Sequence, residues 1–124
     1  MLLSLETLLY RKGDIWMEIS KIADGLKALG DPTRLQMVAL MKHRDCCVCE
    51  FTPIFNISQP AISRHLSRLK SAGLVTESRK GQRVFYSLNQ SKFEELGFSL
   101  THLPDLSEKL MELEEKGLLV NCDA

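Results

Sequence analysis

Between Asn56 and Leu88 the helical spacing of apolar residues gives way to short β-rich runs, and no other stretch limits the fold so tightly. Ser58 can cap a helix running to about Ser71, with Ile62, Leu66 and Leu69 on its buried side at spacings of three and four. Gly73 ends it. Leu74 to Ser78 and Arg83 to Leu88 then read as two strands, joined by Arg79-Lys80-Gly81-Gln82 in a hairpin where Gly81 permits a positive φ. A turn at Asn56-Ile57 comes before the helix. A shorter helix comes before the turn, starting near Asp45 as its cap and carrying Val48, Phe51 and Phe55 inward. Pro53 limits its regularity, because proline lacks a backbone donor and crowds the carbonyl of Cys49. Short helix, turn, longer helix and hairpin make a winged helix-turn-helix, mainly α with a small β-hairpin.

The flanking segments add helices. Ile19, Ile22, Leu26 and Leu29 predict a first helix ending at Gly30, and Asp31-Pro32 supplies an N-cap and N1 proline for a second, with Leu35, Val38 and Met41 facing the core. A last helical region from about Ser91 to Gly117 is interrupted near Pro104 and carries a stripe of Leu106, Leu110 and Leu113. The expected organisation is an N-terminal arm over 1–17, with Met17 an alternative start, one domain over 18–117 and a tail over 118–124. At 124 residues the chain fits a single domain. No apolar run approaches the roughly 20 residues that a spanning helix needs. Met1 to Tyr10 is apolar, but Glu6 interrupts it and no basic flank or small-residue cleavage site accompanies it. A cytoplasmic protein without a membrane partner is expected.

A formal net charge of zero conceals a sharp local asymmetry. From Ser58 to Arg83 the charged residues are Arg64, Arg68, Lys70, Arg79, Lys80 and Arg83 against Glu77 alone, whereas Lys92 to Ala124 holds three lysines and eight acids. The middle segment is therefore the phosphate-binding candidate. With Ile62, Leu66 and Leu69 turned inward, Gln59, Ser63, Arg64 and Arg68 lie on the solvent side of the helix, Ser58 at its start and His65 beside them. Arg79, Lys80 and Arg83 at the hairpin can reach an adjacent groove or backbone of double-stranded DNA.

The second constellation is chemical. Of four cysteines, Cys46, Cys47 and Cys49 crowd into four positions and Cys122 stands apart. Neighbours so close rarely form structural disulfides, and thiolates select soft ions such as Zn(II), Cd(II), Pb(II), Cu(I) and trivalent arsenic or antimony. In a regular helix, at about 100° per residue, Cys47 and Cys49 would point roughly 200° apart, so one ion could take both only by unwinding the turn. Cys46, three before Cys49, could share its face. Small buried apolar residues and a redox-sensing thiol cluster are the competing readings. His43 and His102 have no companions at metal-ligand spacing. No His-Asp or His-Asn partnership supports a cysteine nucleophile, so an enzyme is not expected.

Leu29-Gly30-Asp31-Pro32-Thr33-Arg34-Leu35, Cys47-Val48-Cys49-Glu50-Phe51 and Ser58-Gln59-Pro60-Ala61-Ile62-Ser63-Arg64-His65-Leu66 resemble the ArsR/SmtB family of metal-responsive repressors, in particular its arsenic-sensing branch, over about Glu18 to Asn89. The cysteine run is similar to the family's Cys-Val-Cys-Asp-Leu metal box. The resemblance implies a homodimer built from the first and last helices, a palindromic DNA operator, and repression of a resistance operon until an inducer binds, with no obligatory cofactor. It assigns the inducer to Cys47 and Cys49. Some arsenic sensors carry another cysteine three positions after the second, where this chain has Thr52, which leaves Cys46 or Cys122 as the third ligand. The zinc sensors' last-helix site has no counterpart around Asp105 and Ser107, and no cysteine precedes Cys46 as in cadmium and lead sensors. Trivalent arsenic or antimony therefore ranks first; Cd, Pb or Zn, and thiol oxidation or reactive sulfur, are the alternatives.

Overall fold

A computed structural model describes residues 15–119; most of the expected arm, and Cys122 with most of the tail, lie outside the described residues. The helices are α1 (Ile15–Leu29), α2 (Pro32–Met41), α3 (Val48–Phe55), α4 (Gln59–Ser71), α5 (Gln90–Leu96) and α6 (Ser107–Glu115), with a 3₁₀ turn at Leu100–His102. The strands are β1 (Cys46–Cys47), β2 (Val75–Lys80) and β3 (Arg83–Leu88), in the antiparallel order β1-β3-β2.

Within the described residues helix α1 already includes Ile15 and Trp16, ahead of Met17, so the end of the expected arm is helical. Periodicity locates α1 but not its buried face. Gly25, Ala28 and Leu29 point inward, while Ile19, Ile22 and Leu26 join Ile15 and Trp16 in an exposed apolar stripe. Gly25 is required by close approach: a Cβ there would sit 2.9 Å from both methyl carbons of Leu96 on α5. At α2 the expected start holds, with the Asp31 carboxylate accepting from the Arg34 amide at 3.0 Å and Pro32 in the first turn. Its second half, Met37 to Met41, is buried all round.

Ser58 caps α4 by accepting from the Ala61 amide, and Ile62, Leu66 and Leu69 are fully buried against Phe51, Leu74 and Phe93. Burying each such side chain contributes about 1.5–3 kcal/mol. Asn56 turns the chain between α3 and α4 in the left-handed region, φ 54°, which asparagine tolerates better than most residues. The hairpin is tighter than expected. β2 extends through Arg79 and Lys80, Lys80 pairs with Arg83, and the loop shrinks to Gly81-Gln82 with a positive φ at Gly81 only, the type II′ pattern that suits twisted strands. The last helical region splits, as expected, around Pro104, and Leu106, Leu110 and Leu113 pack on the core.

Two local expectations fail together at the cysteines. α3 starts at Val48 rather than near Asp45, because Cys46 and Cys47 are extended and add a third strand to the hairpin, Cys46 opposite Tyr86 and Cys47 opposite Phe85.

Candidate functional site

Cys47 is the last extended residue before α3, with φ −90° and ψ 148°, and Cys49 lies in the first turn of that helix. The strand-to-helix corner removes the angular separation of a continuous helix. The two Sγ atoms lie 2.6 Å apart, Cys49 donating to Cys47. The expectation that one ion could reach both sulfurs only by unwinding the turn is thus corrected: the corner itself makes them converge. Cys47 is buried and Cys49 exposed, so the pair opens on one side to solvent. Burial, the hydrogen bond to Cys47 and the charges of Cys47 and Glu50 push the Cys49 thiol up to about 11, with Arg83 opposing them.

Strand alternation turns Cys46 the other way. Its side chain is 3% exposed within the core cluster, and its thiol donates to the Arg44 carbonyl at 3.5 Å. Among the described residues, no three of His, Cys, Asp and Glu converge where an ion could be held.

The corner has its own support. Glu50, three residues on, is 1% exposed; its Oε1 accepts from the Cys47 amide at 2.8 Å and its Oε2 lies 3.3 Å from the Arg44 guanidinium. Glu50 thus braces the corner, a supporting role that its place in the cysteine motif does not by itself reveal. With the helix starting at Val48, Glu50 is its third residue and completes a capping box with Cys47, a pattern that a start near Asp45 conceals. Pro53 withholds the amide that would close on the Cys49 carbonyl, so α3 is least constrained just after the thiols.

A cleft of about 390 Å³ opens beside the thiols, lined by Cys47, Val48, Cys49 and Thr52 together with Gln59, Gln82, Arg83 and Val84. The first residue of α4 and the turn of the hairpin therefore share one cavity with the sulfur pair. Sequence spacing cannot show this, since Cys49 and Arg83 are far apart in the chain.

The basic residues divide into two sets. Gln59, Ser63 and Arg64 are exposed on α4, and Arg79, Lys80 and Arg83 are exposed on the hairpin, with Lys80 Nζ 5.4 Å from the centroid of the Phe85 ring. Arg68 and His65 face other helices instead. Arg68 forms an ion pair with Asp24 of α1 at 3.0 Å. His65 Nδ1 lies 3.3 Å from Arg34 Nη1 and 3.9 Å from Asp31, and Arg34 Nε donates to the Ala28 carbonyl, so His65 ties α4 to the junction of α1 and α2. Lys70 is held by Glu77, which also accepts from the Tyr86 hydroxyl at 3.0 Å; these two bonds keep the Glu77 carboxyl below its usual range.

Comparisons agree with this architecture. The family described as bacterial regulatory protein, arsR family, matches residues 31–77. The arsenic resistance transcriptional regulator ArsR1 of Pseudomonas putida is 47% identical over 64 residues, 51% of this chain and 50% of ArsR1, so the match spans half of that relative. The transcriptional repressor SdpR of Bacillus subtilis is 42% identical over 69 residues, 56% of this chain and 77% of SdpR. Among solved structures, the homodimeric winged helix-turn-helix DNA-binding domain of Mb0332 from Mycobacterium bovis shares the fold, with a TM-score of 0.58 at 22% identity over 80% of this chain and 85% of that one. The fold is a winged helix-turn-helix, and the chain belongs to the ArsR family of DNA-binding transcriptional regulators, which are not enzymes.

Proposed function

We propose that this chain is a cytoplasmic, homodimeric repressor whose hold on operator DNA is released when trivalent arsenic or antimony binds the thiols of Cys47 and Cys49. The observation that carries the reading is the convergence of those sulfurs at the corner between β1 and α3, in a cleft shared with Gln59 and Arg83. Soft thiolates favour such ions, and an occupant of this cleft bears on both parts expected to touch DNA. Linkage requires that DNA oppose the inducer by the same factor. The names of ArsR1 and of the arsenical resistance operon repressor of Staphylococcus xylosus, 34% identical over 71 residues, support this inducer class. Among the described residues no helix is long and apolar enough to cross a membrane.

The test is fluorescence-anisotropy binding of the reduced protein to its own promoter DNA, titrated with arsenite, antimonite, cadmium, lead and zinc, then with a mild oxidant. Release by arsenite or antimonite alone supports the proposal; release by another metal alone reassigns the inducer. The sulfur-to-sulfur contact also favours a redox reading, in which only the oxidant acts and a mild reductant restores binding.

DNA contact is assigned to Ser58, Gln59, Ser63 and Arg64 at the start of α4 and to Arg79, Lys80 and Arg83 on the wing, with Arg68 and His65 held towards the protein. Lys80→Ala is expected to weaken binding to all duplexes and lower the log–log salt slope by about 0.9, one phosphate contact's share. A slope equal to wild type removes Lys80 from the interface. Arg68→Ala, whose guanidinium already has Asp24, should change the slope less than Lys80→Ala does.

The dimer is assigned to the exposed stripe of α1, with Met111 of α6 similarly exposed. Ile19 is 47% exposed in the single chain, so Ile19→Glu should leave the protomer folded and shift sedimentation from dimer to monomer. A dimer of undiminished stability would place the interface elsewhere.

A further inference from the structure

Resting on the proposed inducer, we infer that the cleft holds the metalloid as a mixed adduct. Cys47 and Cys49 supply two of its three bonds, and a small carboxylate-bearing thiol supplies the third, its carboxylate seated on Arg83.

Valence sets the problem. A trivalent arsenic or antimony centre makes three bonds, and among the described residues only two sulfurs converge. Cys46 is turned into the core, towards the Arg44 carbonyl, and presenting it would break the Cys46–Tyr86 pairing with β3.

Space and charge suggest what completes the set. The cleft, at about 390 Å³, lies within the size range of small-molecule sites and far exceeds the roughly 30 Å³ share of one water. Its lining also includes Arg83, whose charge acts on Cys49, and Gln59 and Gln82, side chains that carry N–H donors of the kind a carboxylate takes. Val48 and Val84 complete the lining with apolar surface that can cover a short carbon stem. Arg83 has no acidic partner among the described residues; the nearby acid, Glu50, is buried and committed to Cys47 and Arg44.

The chemistry is exchange without redox change. A metalloid tris-thiolate approaches, two of its metalloid–sulfur bonds break, and two form to Cys47 and Cys49. The two cysteine protons leave on the two departing thiols, and the third thiol stays. Arg83 then serves the adduct in place of a DNA phosphate.

Native mass spectrometry of the full chain, loaded with arsenite in equal mixtures of mercaptoacetate and neutral 2-mercaptoethanol, tests this without DNA. The expected species is protein plus one arsenic plus one mercaptoacetate. Mercaptoacetate should be preferred by about tenfold, the size of one exposed charge-assisted hydrogen bond. Arg83→Gln should reduce the preference to near parity, and Arg83→Lys should restore much of it. Equal retention of the two thiols by wild type overturns the role of Arg83. Arsenic held by three protein sulfurs with no added thiol overturns the mixed adduct, and if Cys122→Ser then restores the added thiol, Cys122 is the third ligand. Absence of arsenic from every species removes the proposed inducer itself, an outcome distinct from loss of the third partner.

Discussion

Cys47→Ser and Cys49→Ser should each leave operator affinity within about twofold of wild type while raising the arsenite needed for release by at least about a hundredfold, a loss of roughly 2.7 kcal/mol in inducer binding. Retained DNA binding is expected because neither change disturbs the corner. Cys47 ends a strand and precedes a helix, where serine is a favourable N-cap, and Cys49 is exposed. Loss of response is expected because a hydroxyl is a harder, far less acidic ligand than a thiol. The measurement is the anisotropy titration, repeated with each variant. Normal release in both would sink the thiol mechanism, whereas loss of DNA binding without inducer would show that the cysteines shape the DNA-bound form.

Arg44→Ala should destabilise the protein by about 3–5 kcal/mol, the usual cost of breaking a buried ion pair. It strips the guanidinium from the carboxylate of Glu50, whose side chain is fully buried beneath the thiol corner. Glu50→Gln should cost less, since the amide oxygen can still accept from the Cys47 amide and Arg44, about a quarter exposed, can turn to water. Urea unfolding gives both values. If Arg44→Ala costs under about 1 kcal/mol, the pair behaves as an ordinary surface salt bridge and the corner is held by the strand and helix alone. If the larger cost appears, sublethal changes at Glu50 should also loosen the sulfur pair, visible as weaker arsenite binding by a protein that is still folded.

The legible parts of the sequence were those governed by local rules. Asp31-Pro32, Ser58 and Gly81 each announce a backbone event within a few residues, and the structure places α2, α4 and the wing turn where those signals fall. β1 was not legible, because two residues carry no periodicity and its reason for being extended lies at Phe85 and Tyr86. Missing it displaced the start of α3 and, with that, the geometry of the sulfurs. The stripe of α1 shows a different limit: Ile19, Ile22 and Leu26 declare a helix, but the buried face is chosen by Gly25 and Ala28 against the rest of the fold. Likewise Arg68 and Arg64 are equivalent as basic residues of one helix, and only the position of Asp24 separates them.

Because β1 is hydrogen-bonded to β3, the sulfur corner and the wing belong to one sheet. On the proposed function, in which the corner senses and the wing reads, the two therefore cannot drift apart freely over evolutionary time. A substitution that refits the corner to a different ion should then also reset the angle of the wing, and one that refits the wing to a different operator should tug on the corner. Lineages derived from this fold should change ion and operator in correlated steps, or escape the constraint by moving ion binding to an element, such as α6, that shares no strand with the wing.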